Sequence, residues 1–422
     1  MPDRYEFDFP TVEFDQDRVA DSVLSGEMTD LSSRTAPDSV PASTPAAVMA
    51  AEDQQTMSAI DLARSLLVVS LADESKQERR RRERLGRLLA DHNGRELILS
   101  LTDEVLRLDN PAVAAKRFAE LVREFPTREM GPIDGLMLRV GAFVAPRLSA
   151  VVMPLVVRRI RSETSGIVLR TDEPIFSRHL ARRAGEGVRL NVNPLGEAIL
   201  SDAEADERLA TVLAKVARAD VDYVSVKVSA IVANLDVLAF DDSVGRVTER
   251  LRTLYRAAGT ATPTTFVNLD MEEFRDLDLT IDAFIAVLSE PEFATVDAGI
   301  VLQAYLPDSH GAAERLGCWA AQRRSEGGGT VKVRLVKGAN LAMESAEAEL
   351  HGWVAAPYGN KADVDASYKR LLDLLLRPDW AEAIRIGVAS HNLFDIAWAM
   401  IQIDKAGAHD RVVFEMLEGM AP

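Results

Sequence analysis

The sequence predicts an α/β protein, a (β/α)8 TIM-type barrel that lacks its last βα unit and is preceded by a helical region. Three observations predict it. From Val188 onward, short β-branched runs alternate with amphipathic helical runs, the pattern of βα units on a parallel sheet. These units recur evenly with no switch in order, which favours a closed barrel over an open doubly wound sheet. Before Val188 the apolar residues recur at helical spacing instead.

Seven strands are expected, at 188–193, 222–229, 265–270, 298–305, 331–337, 384–390 and 411–417, with helical segments between them. A complete barrel needs eight. The seventh expected strand ends close to Pro422, so the last βα unit is expected to be absent and two sheet edges to be open.

Upstream, residues 1–55 are rich in Asp, Ser, Thr, Pro and Ala without periodicity and read as a disordered tail. Residues 56–183 read as a helical arm and linker region, with Leu62, Leu66, Val69, Leu85, Leu88 and Leu89 at helical spacing and with Gly94 and Asn110-Pro111 as breakers. Residues 184–422 are the barrel. The most apolar stretch, Gly141 to Val157, contains Pro146, Arg147 and Pro154, so it reads as a buried, interrupted helix and not as a membrane span.

The chain is acidic, with a formal net charge of -17, which disfavours nucleic-acid binding. Its one dense basic run, Arg79 to Arg82, reads as a solvated helix face. The single cysteine, Cys318, excludes an intramolecular disulfide, suits a reducing cytoplasm and reads as a small packing residue. No basic and apolar leader opens the sequence, so no secretory signal is expected. Six scattered histidines without a HExxH argue against a metal hydrolase, and neither a GxSxG elbow nor a P-loop is present. No metal site is expected.

In this fold the active site gathers at the C-terminal ends of the strands. Period-two alternation turns Val224, Val226 and Val228 towards the helices, which points Lys227 into the barrel. The same rule turns Val267 and Leu269 outward and Asp270 inward. Gln303 stands near the end of the fourth strand, and the fifth carries Arg334 and Lys337 before Gly338-Ala339. Arg334 and Lys337 have opposite parity, so a bend is expected near Lys337, with Gly338 allowing close approach by a ligand. The sixth strand ends at Ser390-His391. Each residue alone has an ordinary structural explanation, but polar side chains at five consecutive strand tips converge on one mouth and read as a site.

The motifs VSVKVSA, NLDMEEF, GIVLQAY, VRLVKGAN, ASHN and FEMLEGM stand in the order and spacing of the proline dehydrogenase family, and Leu195-Gly196-Glu197-Ala198 is similar to its LGEA turn. The chain resembles the barrel of the bacterial bifunctional proline dehydrogenase/L-glutamate gamma-semialdehyde dehydrogenase over roughly residues 60–420. The resemblance implies FAD as cofactor and L-proline as substrate. The reaction would move a hydride from proline C5 to flavin N5 and yield Δ1-pyrroline-5-carboxylate, the first step of proline catabolism to glutamate. It makes Lys227 a substrate-pocket lysine, Asp270 and Arg334 the catalytic pair, and Leu417 a residue lining the proline site. Met271, Gln303, Arg334, Lys337, Gly338, Ala339, Ser390 and His391 match flavin-contacting positions. It also implies a quinone acceptor, peripheral contact with the inner face of the cell membrane for an otherwise cytoplasmic protein, and compatibility with a homo-oligomer. No ribbon-helix-helix motif implies a DNA-binding role.

Two departures stand out. Asn340 replaces the family's aromatic residue, and the arginine pair that binds the proline carboxylate belongs to an eighth helix beyond this sequence, so weak or absent proline oxidation is expected of the chain itself. Two other readings remain: a truncated, non-catalytic fragment, and a Schiff-base lyase of the aldolase type using Lys227 or Lys337.

Overall fold

The computed structural model describes residues 7–8, 11–14, 45–73, 91–105, 110–126, 132–164, 169–170, 174–194 and 199–418, with a few single positions between them. Most of the expected tail, Arg80 to Arg82 and the LGEA turn at 195–198 lie outside the described residues. Two compact units emerge, Met1–Val69 with Leu169–Ala421, and Ser70–Val168.

Within the segment expected as tail, the described parts are two short strands, β1 (Phe7–Asp8) and β2 (Thr11–Phe14), and the start of helix α1 (Pro45–Asp73). Ala63 and Leu66 of α1 belong to the main core.

The smaller unit holds α2 (His92–Ser100), which runs into a π turn over Leu101–Val105, then α3 (Pro111–Glu124), α4 (Pro132–Val144) and α5 (Ser149–Thr164). Asn110 caps α3 by accepting from the backbone of Ala112 and Val113, and Pro111 opens the helix where its missing N–H costs nothing. Leu97, Leu101, Phe118, Leu121, Ala142 and Met153 form this unit's core. Gly94, expected as a breaker, lies inside the first turn of α2, where its backbone N–H meets Asp91. The Gly141 to Val157 stretch is not buried throughout. Ala142 and Met153 face the core, whereas Phe143, Val151 and Leu155 on the opposite side are more than half exposed.

The larger unit continues with β3 (Leu169–Arg170), which pairs antiparallel with β1, then α6 (Ile175–Gly185) and β4 (Arg189–Asn191). Five further parallel units follow: α7 (Asp202–Val216), β5 (Tyr223–Lys227), α8 (Phe240–Thr260), β6 (Phe266–Asp270), α9 (Leu277–Leu288), β7 (Ala298–Gln303), α10 (Ser309–Ser325), β8 (Val331–Val336), α11 (Leu341–His351), α12 (Lys361–Leu375) and β9 (Ile384–Ala389). Helix α13 (Leu393–Ala406) leads to β10 (Val412–Leu417). Every expected strand appears, trimmed at its ends.

Local chemistry explains the joints. Ser201 caps α7 by accepting from the Glu204 backbone, with Asp202 and Glu204 in the positive first turn. Asn360 and Asn392 cap α12 and α13 in the same way, and Gly352 and Gly407 end α11 and α13 in the left-handed conformation.

Strands β5 to β10 pair in parallel in chain order, and a parallel bridge between Val192 and Val224 joins β4 to β5. Between β10 and β4, where an eighth parallel strand was expected to be missing, lies β2, antiparallel to both neighbours. Its register sets Thr11 opposite Leu417 on one side and Asn191 on the other. The expected open edges are therefore covered, because unpaired ladder groups of β4 and β10 find donors and acceptors on the N-terminal segment.

Val224, Val226, Val267, Leu269, Ile300, Leu302, Val333, Leu335, Ile386 and Val388 pack outward against the helices in one continuous core. The opposite parity fills the barrel with Tyr223, Ser225, Asn268, Lys332, Arg334 and Glu415, all buried. Inward-facing glycines make room for them. A Cβ at Gly387 would collide with Glu415, and one at Gly299 with Asn268. Cys318, expected as a packing residue, is exposed. Leu316, Gly317 and Ala320 face the core, and position 318 is turned away from them. No helix among the described residues is long and apolar enough to cross a membrane.

Candidate active site

Arg334 is the hub of the barrel interior. Its Nε donates to Glu415 Oε2 at 2.7 Å, Nη1 to Asp270 Oδ1 at 2.9 Å and to Ser225 Oγ at 3.2 Å, and Nη2 to the Tyr223 hydroxyl at 2.8 Å. Three strands, β5, β6 and β10, are thereby tied to one planar guanidinium carried by β8, a geometry that lysine could not supply. Burial works against its charge, but Glu415, Tyr223 and Asp270 hold the guanidinium protonated.

Glu415 stands between two cations, with Lys332 Nζ at 2.9 Å on its other oxygen. Burial alone would raise its carboxyl; Arg334 and Lys332 instead hold it below the usual carboxylate range. Asp270 also accepts from Asn268 Nδ2 at 2.9 Å and from Asn193 Nδ2 at 2.7 Å. Burial pushes this carboxyl upward, with Arg334 and Lys227 pulling against it.

Lys227 lies opposite Asp270 in the β5–β6 register, and its ammonium meets Glu272 at 2.7 Å. Gln303 is buried, and its Nε2 lies 3.4 Å from the carbonyls of both Met271 and Glu272. Strand β8 ends at Val336, and Gly338 follows at φ 125°, a bend that lets Lys337 leave the barrel axis. A Cβ at Gly338 would strike the Tyr305 ring, so only glycine lets the chain lie flat there. Gly338 and Ala339 are exposed on the rim.

Lys337 meets Asp365 at 2.5 Å and Asp395 at 2.6 Å. Burial opposes its charge, but the two carboxylates hold its ammonium above the ordinary lysine range. Ser390 Oγ donates to Asp395 at 3.2 Å. The Leu417 backbone N–H donates to His391 Nε2 at 3.0 Å, so the neutral ring carries its proton on Nδ1. Burial lowers the His391 pKa and favours that neutral form. Its Nδ1 is buried and finds no protein acceptor, which leaves an aimed donor for a ligand.

All the expected residues therefore stand at the strand ends of one barrel. Asp270 and Arg334 are bonded to each other, with Lys227 opposite Asp270 in the strand register but paired with Glu272; Lys337 and Ser390 meet at Asp395, and His391 meets Leu417. Tyr223, Ser225, Asn193, Asn268, Lys332, Glu415, Asp365 and Asp395 were not among the expected site residues. For the first six, strand parity or the loop after β4 was the available signal. The uncommitted His391 donor, the flat Gly338-Ala339 rim and the buried cations suit a planar, anionic cofactor such as a flavin dinucleotide. Among the described residues no group of three or more His, Cys, Asp or Glu side chains could hold a metal ion.

Asp276, buried just beyond β6, adds an electrostatic cost. Burial and then Glu273 push its carboxyl up to about 6, with Arg275 opposing. An acid whose folded pKa is raised costs nothing below its unfolded pKa; the penalty grows as pH rises from the unfolded towards the folded value and levels off above it. Asp276→Asn is therefore expected to stabilise the fold by about 2–3 kcal/mol at pH 7, with the gain vanishing near pH 3.5 in denaturant titrations.

The sequence model of the family described as Proline dehydrogenase matches residues 176–422, more than half of the chain. Proline Utilization A (PutA) from Corynebacterium freiburgense is 46% identical over 63% of this chain, with a TM-score of 0.60. PutA from Bdellovibrio bacteriovorus, solved after inactivation by N-propargylglycine, is 24% identical over 88% of the chain, with a TM-score of 0.62. A mutant PutA from Bradyrhizobium japonicum is 18% identical over 96%, with a TM-score of 0.57, a likeness of fold alone. The chain spans 28%, 38% and 41% of the lengths of these three proteins. No curated protein matches it. With its barrel, its strand-end motifs and its sequence in agreement, this chain belongs to the proline dehydrogenase family.

Proposed function

We propose that residues 184–422 form the FAD-dependent, proline-oxidising part of a proline utilization protein, preceded by a helical arm at 56–183. One observation carries the reading: Arg334, buried at the centre of the barrel, is bound to Asp270 beside Lys227, in a chain of the proline dehydrogenase family. Bound FAD would supply the two-electron oxidant that takes the hydride from proline C5 and leaves Δ1-pyrroline-5-carboxylate.

This chain's own groups prepare that step. Met271, Gln303, Lys337, Gly338, Ala339, Ser390 and His391 would hold the cofactor. His391 would donate from Nδ1, and the fixed charge of Arg334 would favour the negative charge that gathers on reduction. Asp270, with Lys227, would hold the proline amine as it gives up its proton, and Leu417 would line the substrate side. Electrons would pass to a quinone at the inner face of the cell membrane, which the protein would meet peripherally, and a homo-oligomer is compatible with this reading.

A Schiff-base lyase needs a neutral lysine. Lys337 is held charged between two carboxylates and Lys227 is paired with Glu272, which disfavours that chemistry. The test is optical. The purified chain is expected to bind FAD, and the visible absorbance of the oxidised flavin to bleach slowly when L-proline is added without oxygen. A chain that takes up no flavin, or holds flavin that proline leaves oxidised, would refute the proposal.

A further inference from the structure

Asp395 is 1% exposed on its side chain and stands at the start of α13. One oxygen meets Lys337 at 2.6 Å and accepts from Ser390 Oγ at 3.2 Å; the other lies 3.3 Å from Lys369. This single buried carboxylate therefore joins the end of β8, the end of β9 and helix α12. Asp365 of α12 completes the grip on Lys337 at 2.5 Å and is itself paired with Lys361. Three ammonium groups face two carboxylates, so the cluster keeps one excess positive charge beside the rim.

The geometry points to Asp395, assisted by Asp365, as the positioning residue that fixes the Lys337 ammonium and the Ser390 hydroxyl for the cofactor. It rests on the flavin reading above, because Lys337 and Ser390 are two of the positions proposed to contact FAD. The physical reason is specific. Lys337 follows the end of β8 just before the bend made by Gly338; its backbone carbonyl still accepts from the Tyr305 N–H at 2.7 Å, but its long flexible side chain keeps one orientation only if its charge is tied down. A buried carboxylate whose own oxygens are held by Ser390 and Lys369 provides that anchor.

The test compares FAD affinity, by quenching of flavin fluorescence, in the wild type, Asp395→Asn, Lys337→Met and the double variant, with folding checked by circular dichroism. Asparagine keeps the shape and the bond to Ser390 while removing the charge. Asp395→Asn is expected to weaken FAD binding about tenfold, and the double variant to be no weaker than Lys337→Met alone, since the carboxylate acts through the ammonium. Affinity within twofold of wild type in Asp395→Asn, or additive losses in the double variant, would overturn the inference. Should Asp395→Asn fail to fold, Asp365→Asn reads the same ammonium from a partly exposed position: weaker FAD binding supports the clamp and unchanged binding overturns it. A wild type without FAD affinity removes the flavin reading itself, whereas a wild type that binds flavin with an indifferent Asp395→Asn removes only this inference.

Discussion

Replacement of Glu415 by alanine is expected to destabilise the barrel by about 3–5 kcal/mol, the cost of breaking a buried ion pair by removing one partner. The effect follows from what the carboxylate does. It is the only acid in contact with Lys332 among the described ion pairs, and it takes the shortest bond that Arg334 makes. Without it two cations share a water-poor interior with Asp270 as the remaining anion within bonding distance of Arg334. Glu415→Gln separates charge from shape. The amide fills the same space beside Gly387 but cannot neutralise Lys332, so its loss is expected to be smaller yet still above 1 kcal/mol. Urea titration of both variants checks the order, and equal stability of Glu415→Ala and wild type would mean that the hub is not held by charge.

This residue also shows where the sequence was legible and where it was not. Alternation turned Lys227 and Asp270 inward because their neighbours are valines and leucines. The same alternation applies to Tyr223, Ser225, Asn268 and Lys332, whose types are ordinary in half-buried strands and drew no separate attention. Glu415 lay within the FEMLEGM motif, yet its importance comes from cations on β8, more than eighty residues away in the chain. Asp365 and Asp395 sit on helices, where an acid is most simply read as solvated or dipole-stabilising. Only the tertiary fold carries them to Lys337. The strand β2 was hidden for a different reason: four residues in a segment rich in Asp, Ser, Thr and Pro have no period of their own, and their pairing is decided by the ladder they complete.

That pairing makes the second strong prediction. Val12→Pro is expected to destabilise the larger unit by about 3 kcal/mol, with orphaned ladder groups costing about 1–3 kcal/mol each. Proline removes the Val12 N–H from an antiparallel strand that has partners on both sides, Met416 of β10 and Leu190 of β4, so no face of β2 can absorb the loss by turning to water. With β2 displaced, β10 and β4 present unpaired edges, and association between chains is the physical consequence. The variant is therefore expected to combine a lower unfolding midpoint with concentration-dependent aggregation. The site is involved as well, because Thr11 pairs with Leu417, whose N–H holds the His391 ring. Loosened β10 should let that ring rotate, so FAD affinity is expected to fall together with stability. Hydrogen exchange at the Leu417 amide gives the direct readout: protection unchanged in Val12→Pro would mean that β2 does not hold the seam, whereas a rise in exchange confined to β4 and β10 would locate the closure of the barrel in these four N-terminal residues.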